Sequence, residues 1–270
     1  MPPPAQPESK GWRLPGQSAM DVQKRPELGR NLTYGLLEFL GKAIVTGQFD
    51  DAPFPIEAEL VRRYGISLTV TREAVKMLCA KGLLTSRPRQ GTQVLPTSSW
   101  HLFDPDVLRW LVERKLEIDL LRQFNQLRAA IEPEGAALAA RFASAEDLAA
   151  IAEGLARIKA AKAGWDDPVA AGIAFHVSIL YATQNPFYAQ FRDVVGSALQ
   201  TSIRFGAGFH GKAMNVADYH AVYDAIRAAD SDGARGAMRR LIGRVLDCID
   251  RAASHGHERY GSPASQAKGD

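Results

Sequence analysis

Cysteine is nearly absent from this chain: its 270 residues hold only Cys79 and Cys248. Each sits among apolar neighbours at helical spacing, so both read as reduced core thiols of a cytoplasmic protein, not as a disulfide. No CxxC and no spaced Cys/His set occurs, which excludes the common structural zinc modules. Long apolar runs are missing too. Nothing approaches the 18 consecutive residues of a membrane span, and the opening MPPPAQPESKGWRLPGQ has no apolar stretch of the signal-peptide kind. HExxH, a Gly-rich phosphate loop, a Ser/His/Asp order and internal repeats are all lacking, which removes the usual marks of a hydrolase, a nucleotide-binding fold or a solenoid.

Acidic residues are scarce in one place. Between Arg62 and Arg89 stand Arg62, Arg63, Arg72, Lys76, Lys81, Arg87 and Arg89 against Glu73 alone, a net +6 in a chain whose total is +3. Affinity for duplex DNA is largely counterion release, and such a local surplus is what a phosphate-binding surface requires. A basic helix alone is more often a solvated surface. The order of elements around this one is more specific.

The apolar fraction of 46% is that of an ordinary soluble protein, and the length suggests two domains. Residues 1–30 and 254–270 are rich in Pro, Gln, Gly, His and charge, and are expected to be unstructured extensions. Residues 31–96 read as a winged helix-turn-helix. Leu36, Leu37, Leu40, Ile44 and Val45 recur at helical spacing and Gly47 stops the helix. A short helix over about Glu57–Tyr64 meets the Gly65 turn, and Ser67 is placed to cap a helix over Leu68–Lys81. Leu83–Arg87 and Thr92–Leu95 then read as a hairpin with its tip at Pro88–Gly91. In such a motif the start of the second helix meets base edges. The candidate DNA contacts are Arg62, Ser67, Thr69, Arg72, Lys76, Arg87, Arg89, Gln90 and Gly91, with Arg72 able to fork onto guanine.

After a linker over 97–104, residues 105–253 are helical nearly throughout, in runs near 105–115, 117–142, 145–164, 167–182, 186–205, 216–229 and 231–253. Asn185-Pro186 is a cap followed by proline at the first helical position. Pro133 falls inside a long run and predicts a kink or break. Helices joined by short loops make an antiparallel bundle, and bundles place ligand sites on facing helices. The fold class is therefore mainly α, a winged head plus an all-helical bundle. Arg128, His176, Arg204 and His220 stand out as polar groups within apolar helical stretches; each alone is more often a satisfied core or surface residue than a ligand-binding one.

The segments AIVTGQF, FPIEAELVRRYGIS, TREAVKMLCAKGLL and RPRQGTQV resemble the bacterial GntR-type transcription regulators. LRAAIEPEGAALAARFASAEDLAAI, AFHVSILYATQNPFYAQF and YHAVYDAIRAADSDGARGAMRRLI resemble the helical effector domain, FCD, of the FadR-type subfamily, and SSWHLFDPDVLRWLVER is similar to the connector of sugar-acid-responsive members. The resemblance spans about residues 32–252. It implies a cytoplasmic homodimer that binds a palindromic operator in double-stranded DNA and answers to a small organic acid, a sugar acid or hydroxy carboxylate. It also implies that Arg128, His176 and His220 line the effector pocket, whereas Arg204 rests on helix position alone.

Two departures stand out. Leu68 replaces the arginine common at the start of the reading helix, leaving the DNA face one cation short. Many relatives hold a divalent metal, zinc for example, with one Asp and three His, but Gly172 and Leu241 stand where the Asp and the third His belong. Only His176 and His220 remain, a poor divalent site, so loss of tight metal binding is expected. No catalytic residues are expected. The alternative reading is a His- or metal-dependent enzyme on the helical half, with His176 and His220 as acid and base. A third is a dimerising scaffold without DNA specificity.

Overall fold

A computed structural model describes residues 31–87, 91–113, 118–205 and 215–260. The chain divides into two compact units, one ending at Leu111 and one beginning at Val112. Each is described by itself.

In the first unit α1 spans Leu32–Val45, α2 Glu57–Tyr64 and α3 Leu68–Ala80, followed by β1 (Leu84–Arg87) and β2 (Gly91–Val94). The strands pair antiparallel, with Leu84 opposite Val94 and Arg87 opposite Gly91. Local chemistry sets the boundaries. Asn31 caps α1 by accepting from the Tyr34 N–H, and Ser67 caps α3 by accepting from the Val70 N–H at 3.2 Å. Gly65 ends α2 at φ +64°, a left-handed turn that costs glycine nothing. Leu36, Leu40, Ile44, Leu60, Leu78 and Leu83 close over the core, each almost fully buried. Burying a side chain of this size is worth about 1.5–3 kcal/mol.

α4, Pro105–Glu113, differs from the sequence reading in where it packs. The composition of 97–104 suggests a linker, with a helix near 105 opening the bundle. The contacts instead assign the helix as far as Leu111 to the first unit. The cause is Trp110, whose ring lies on Gly41 of α1 and is fully buried there.

The second unit is helical in every described residue outside short turns. It comprises α5 (Ile118–Phe142), α6 (Ala145–Lys162), α7 (Pro168–Ala182), α8 (Pro186–Ala189), α9 (Arg192–Phe205), α10 (Val216–Arg227) and α11 (Ser231–Tyr260). Two ion pairs fix the direction of α11 on α5. Arg122 Nε lies 2.9 Å from Asp250 near one end, and Arg235 Nε 2.7 Å from Glu134 towards the other, so the two run antiparallel. α6 and α7 are antiparallel as well, with Gln184 after α7 donating to Asp147 in the first turn of α6. Their close approach comes from Gly154, where a Cβ would sit 2.8 Å from the Phe175 Cα. Ala136, Ile151, Leu155, Phe175, Ile179, Val222, Ile226, Met238 and Ile242 form the shared core.

Three boundaries differ from expectation. α5 runs through Pro133 without breaking. The run expected over 186–205 is interrupted at Gln190–Phe191, dividing α8 from α9. The last helix continues to Tyr260, seven residues beyond the boundary at 253.

Candidate nucleic-acid interface and effector site

α3 presents two opposite faces. Thr71, Ala74, Val75 and Leu78 are buried, whereas Leu68, Thr69, Arg72, Glu73 and Lys76 are exposed along the other side. Ser67, at the head of the helix, spends its hydroxyl as the cap acceptor. Arg72 Nε lies 3.0 Å from Glu57 of α2, and Lys76 Nζ 2.8 Å from Glu73. Both cations are well exposed, and surface pairs of this kind are worth little in water, so either can exchange its carboxylate for DNA. Arg62 is exposed at the end of α2, and Arg87 is exposed at the end of β1. Arg89 and Gln90 lie outside the described residues. Gly91 opens β2.

Lys81 does not belong with the DNA-facing charges counted from sequence. Its side chain is only 13% exposed, and its ammonium lies 2.8 Å from both Asp104 and Asp106. Asp106 is held below the usual carboxylate range: burial pushes it up, but the bonds to Lys81 and Arg109 outweigh that. The sequence window ended at Arg89 and so missed the acids that neutralise Lys81.

The second site is a buried polar cluster. Arg128 and Glu132 stand one turn apart on α5, and His176 faces them from α7; all three side chains are 2% exposed. Arg128 Nε donates to Glu132 Oε1 at 2.5 Å, and its Nη1 donates to Asn125 Oδ1 at 3.1 Å. His176 Nδ1 lies 2.5 Å from Glu132 Oε2. A carboxylate only accepts, so Nδ1 carries the ring proton in this contact. Asn125 in turn donates to the Leu121 carbonyl and to Ser202 of α9. Tyr219 of α10 closes one side, its ring centroid 6.0 Å from that of His176.

The electrostatics follow from burial. Burial alone would raise the Glu132 carboxyl, but the Arg128 charge and the contacts with His176 overcome it and take the group down to about 2. Burial holds His176 below its ordinary value, outweighing the pull of Glu132 towards the charged form. Burial also pushes the Tyr219 hydroxyl up to about 12. At neutral pH the cluster is thus one guanidinium against one carboxylate, with a neutral imidazole between helices.

Of the four residues singled out from sequence, Arg128 and His176 meet here, with Arg128 Nη2 3.4 Å from both ring nitrogens. His220 is partly buried on α10, next to Tyr219. Arg204 lies on α9, its side chain outside the described residues. Glu132, Asn125 and Tyr219 were missed. Glu132 had a legible signal, since it follows Arg128 by four residues and such pairs face each other on a helix.

Comparison with known proteins bears on both sites. Residues 40–94 match the model for bacterial regulatory proteins of the gntR family, and residues 123–244 match the FCD domain. An uncharacterized HTH-type transcriptional regulator of Escherichia coli, YieP, is 32% identical over 79% of this chain and 93% of its own. The galactonate operon transcriptional repressor of the same organism is 31% identical over 78% of this chain and 94% of its own. The chain belongs to the GntR family. It is a FadR-type transcription regulator, with a DNA-binding head and an FCD effector-binding domain. A solved structure of Lar from Listeria monocytogenes, 16% identical, covers 83% of this regulator and 98% of its own chain with a TM-score of 0.55, in keeping with the same fold.

FCD domains can hold a metal, and the donor set of this regulator fits one poorly. His176 directs Nδ1 at Glu132. One turn before it stands Gly172, where an added Cβ would touch only the Leu199 side chain. Leu241 is a buried member of the apolar core. Among the described residues no group of three or more His, Cys, Asp or Glu is placed to hold an ion. No described helix is long and apolar enough to cross a membrane.

Proposed function

We propose that this regulator is a ligand-responsive repressor of a sugar-acid or other carboxylate catabolic operon, working in the cytoplasm as a homodimer on a palindromic site. The observation that carries the reading is Arg128, a guanidinium buried at 2% exposure inside the effector domain and held side-on. Its Nε is committed to Glu132 and one Nη1 proton to Asn125. A guanidinium has five N–H donors, so its end remains able to take a carboxylate in forked geometry. The relative that represses the galactonate operon supports a hydroxylated acid. His176, His220 and Arg204 complete the proposed pocket, His220 and Tyr219 offering groups for hydroxyls. With Gly172 and Leu241 in place of ligands, the effector is held without a resident metal.

On the DNA side, Arg72 and Thr69 read base edges from the exposed face of α3 while Lys76 and Ser67 sit against the backbone. Arg62, Arg87, Arg89, Gln90 and Gly91 contact phosphates from the end of α2 and from the wing. Effector and operator favour different arrangements of the two heads, and the difference in affinity is the coupling free energy.

Titration calorimetry of the full chain against a panel of aldonates and short hydroxy acids tests this. One acid is expected to bind and to weaken retardation of the chain's own upstream DNA, and Arg128→Ala to abolish that binding. If Arg128→Ala bound the same acid with unchanged affinity, the pocket assignment would be wrong.

A further inference from the structure

The trailing end of α3 is tied down from three directions. Gly82 follows it at φ +73°, and a Cβ there would sit 2.2 Å from the Ser99 carbonyl oxygen, so the segment after the wing lies directly on this turn. The His101 N–H donates to the Lys81 carbonyl at 3.0 Å. The Lys81 ammonium reaches forward to Asp104, just ahead of α4, and to Asp106 in its first turn. Further along α4, Arg109 pairs with Glu38 of α1, and the Trp110 ring covers Gly41. Every one of these contacts lies within the first unit.

We propose that Lys81 is a positioning residue for DNA reading: by holding Asp104 and Asp106 it locks α4 to the end of α3, so that the reading helix and the helix leading to the effector domain turn as one body. The proposal rests on the DNA-reading role of α3. Lys81 cannot serve a phosphate in this state. Moving it would strand two neighbouring carboxylates, with Arg109 left to neutralise Asp106 and Glu38 together. Held by Lys81 at its start and by Trp110 more than a turn later, α4 cannot swivel independently of α3. A helix freed at its start would let the head sample orientations that do not fit both halves of an operator.

The test uses the full chain and a duplex selected by the wild-type protein from a randomised library. Lys81→Met is expected to weaken binding about tenfold, the loss that follows if the competent orientation falls to about one tenth of the population. The slope of log affinity against log salt stays unchanged, and amide exchange over residues 105–111 quickens. Lys81→Arg restores affinity, since a guanidinium also spans two carboxylates. The double variant Asp104→Asn/Asp106→Asn reproduces the weakening with no cation removed, and decides the matter alone if Lys81→Met does not fold. A salt slope shallower by about 1.8 in Lys81→Met, about 0.9 for each copy in the proposed dimer, would mark lost phosphate contacts and overturn the lock. So would an unchanged or tighter complex in the double Asn variant. Failure of the wild-type chain to enrich any sequence would instead remove the DNA-reading role on which the lock depends.

Discussion

Replacing Glu132 with glutamine keeps the shape of the side chain and removes its charge, which leaves the Arg128 guanidinium buried without a counter-ion. Removing one partner of a buried pair typically destabilises by about 3–5 kcal/mol. The depressed Glu132 carboxyl points to a similar size. A carboxyl taken from 4.5 to about 2 on folding contributes about 3 kcal/mol at neutral pH. Glutamine still accepts one hydrogen bond, so the expected loss lies at the lower end, about 3 kcal/mol. For a domain of this size that is a fall in melting temperature of about 6–12 °C. The sign with pH is fixed, because a carboxyl depressed in the folded state stabilises above its unfolded value and loses that contribution as pH falls towards its folded one. Wild type and Glu132→Gln should therefore differ fully at pH 7 and converge between about pH 4.5 and pH 2. Urea unfolding followed by circular dichroism at pH 7, 5 and 3 reads the difference, with other acid-labile groups common to both proteins. A loss under about 1 kcal/mol at pH 7, or a gap that stays constant down to pH 3, would refute the electrostatic account of the cluster.

Three further outcomes follow from named contacts. Arg72→Ala should weaken operator binding by about 1–3 kcal/mol and relax base preference, while Arg89→Ala should weaken all sequences alike, as competition binding against scrambled DNA will show. Gly41→Ala should destabilise the head by about 1–3 kcal/mol through overpacking, since its Cβ would meet the Trp110 ring at 2.3 Å; thermal melts should show Trp110→Leu relieving part of the loss. The double change Arg128→Met/Glu132→Leu should recover most of the stability lost by either single change, because the uncompensated charge is gone, and a double-mutant cycle that proves additive would count against the pairing.

The helices were legible where an apolar stripe repeats at helical spacing and where a cap is written in the chain, as at Ser67 and Asn185. What failed was information carried by distant partners. Lys81 looked like one more cation on a basic surface because its acids lie 23 and 25 residues further on, beyond the wing. The region 97–104 read as linker because its composition is polar, yet Trp100 and Trp110 anchor it and the following helix to the head. The sequence points to an end at 253 because residues 254–260, SHGHERY, carry no apolar stripe, and the helix there continues without one. In the effector domain Arg128 and His176 were found from their polarity among apolar neighbours. Glu132 was overlooked because the following Pro133-Glu134 suggests an exposed break.

The correction at Lys81 changes what the DNA interface can deliver. A local surplus of +6 suggests that every cation from Arg62 to Arg89 faces phosphate, but a charge held between two carboxylates releases no counterion when DNA arrives. The proposed contacts leave five cations per head: Arg62, Arg72, Lys76, Arg87 and Arg89. Arg72 and Lys76 are already paired, yet both cations are more than half exposed and their pairs are weak enough to break on DNA. In the proposed dimer ten such charges cap the slope of log affinity against log salt at about −9. Adding the two copies of Lys81 would carry it towards about −11. Measured on a selected operator between 50 and 200 mM salt (about fourfold in concentration), a slope near the steeper figure, lost in part on Lys81→Met, would return Lys81 to the phosphate face.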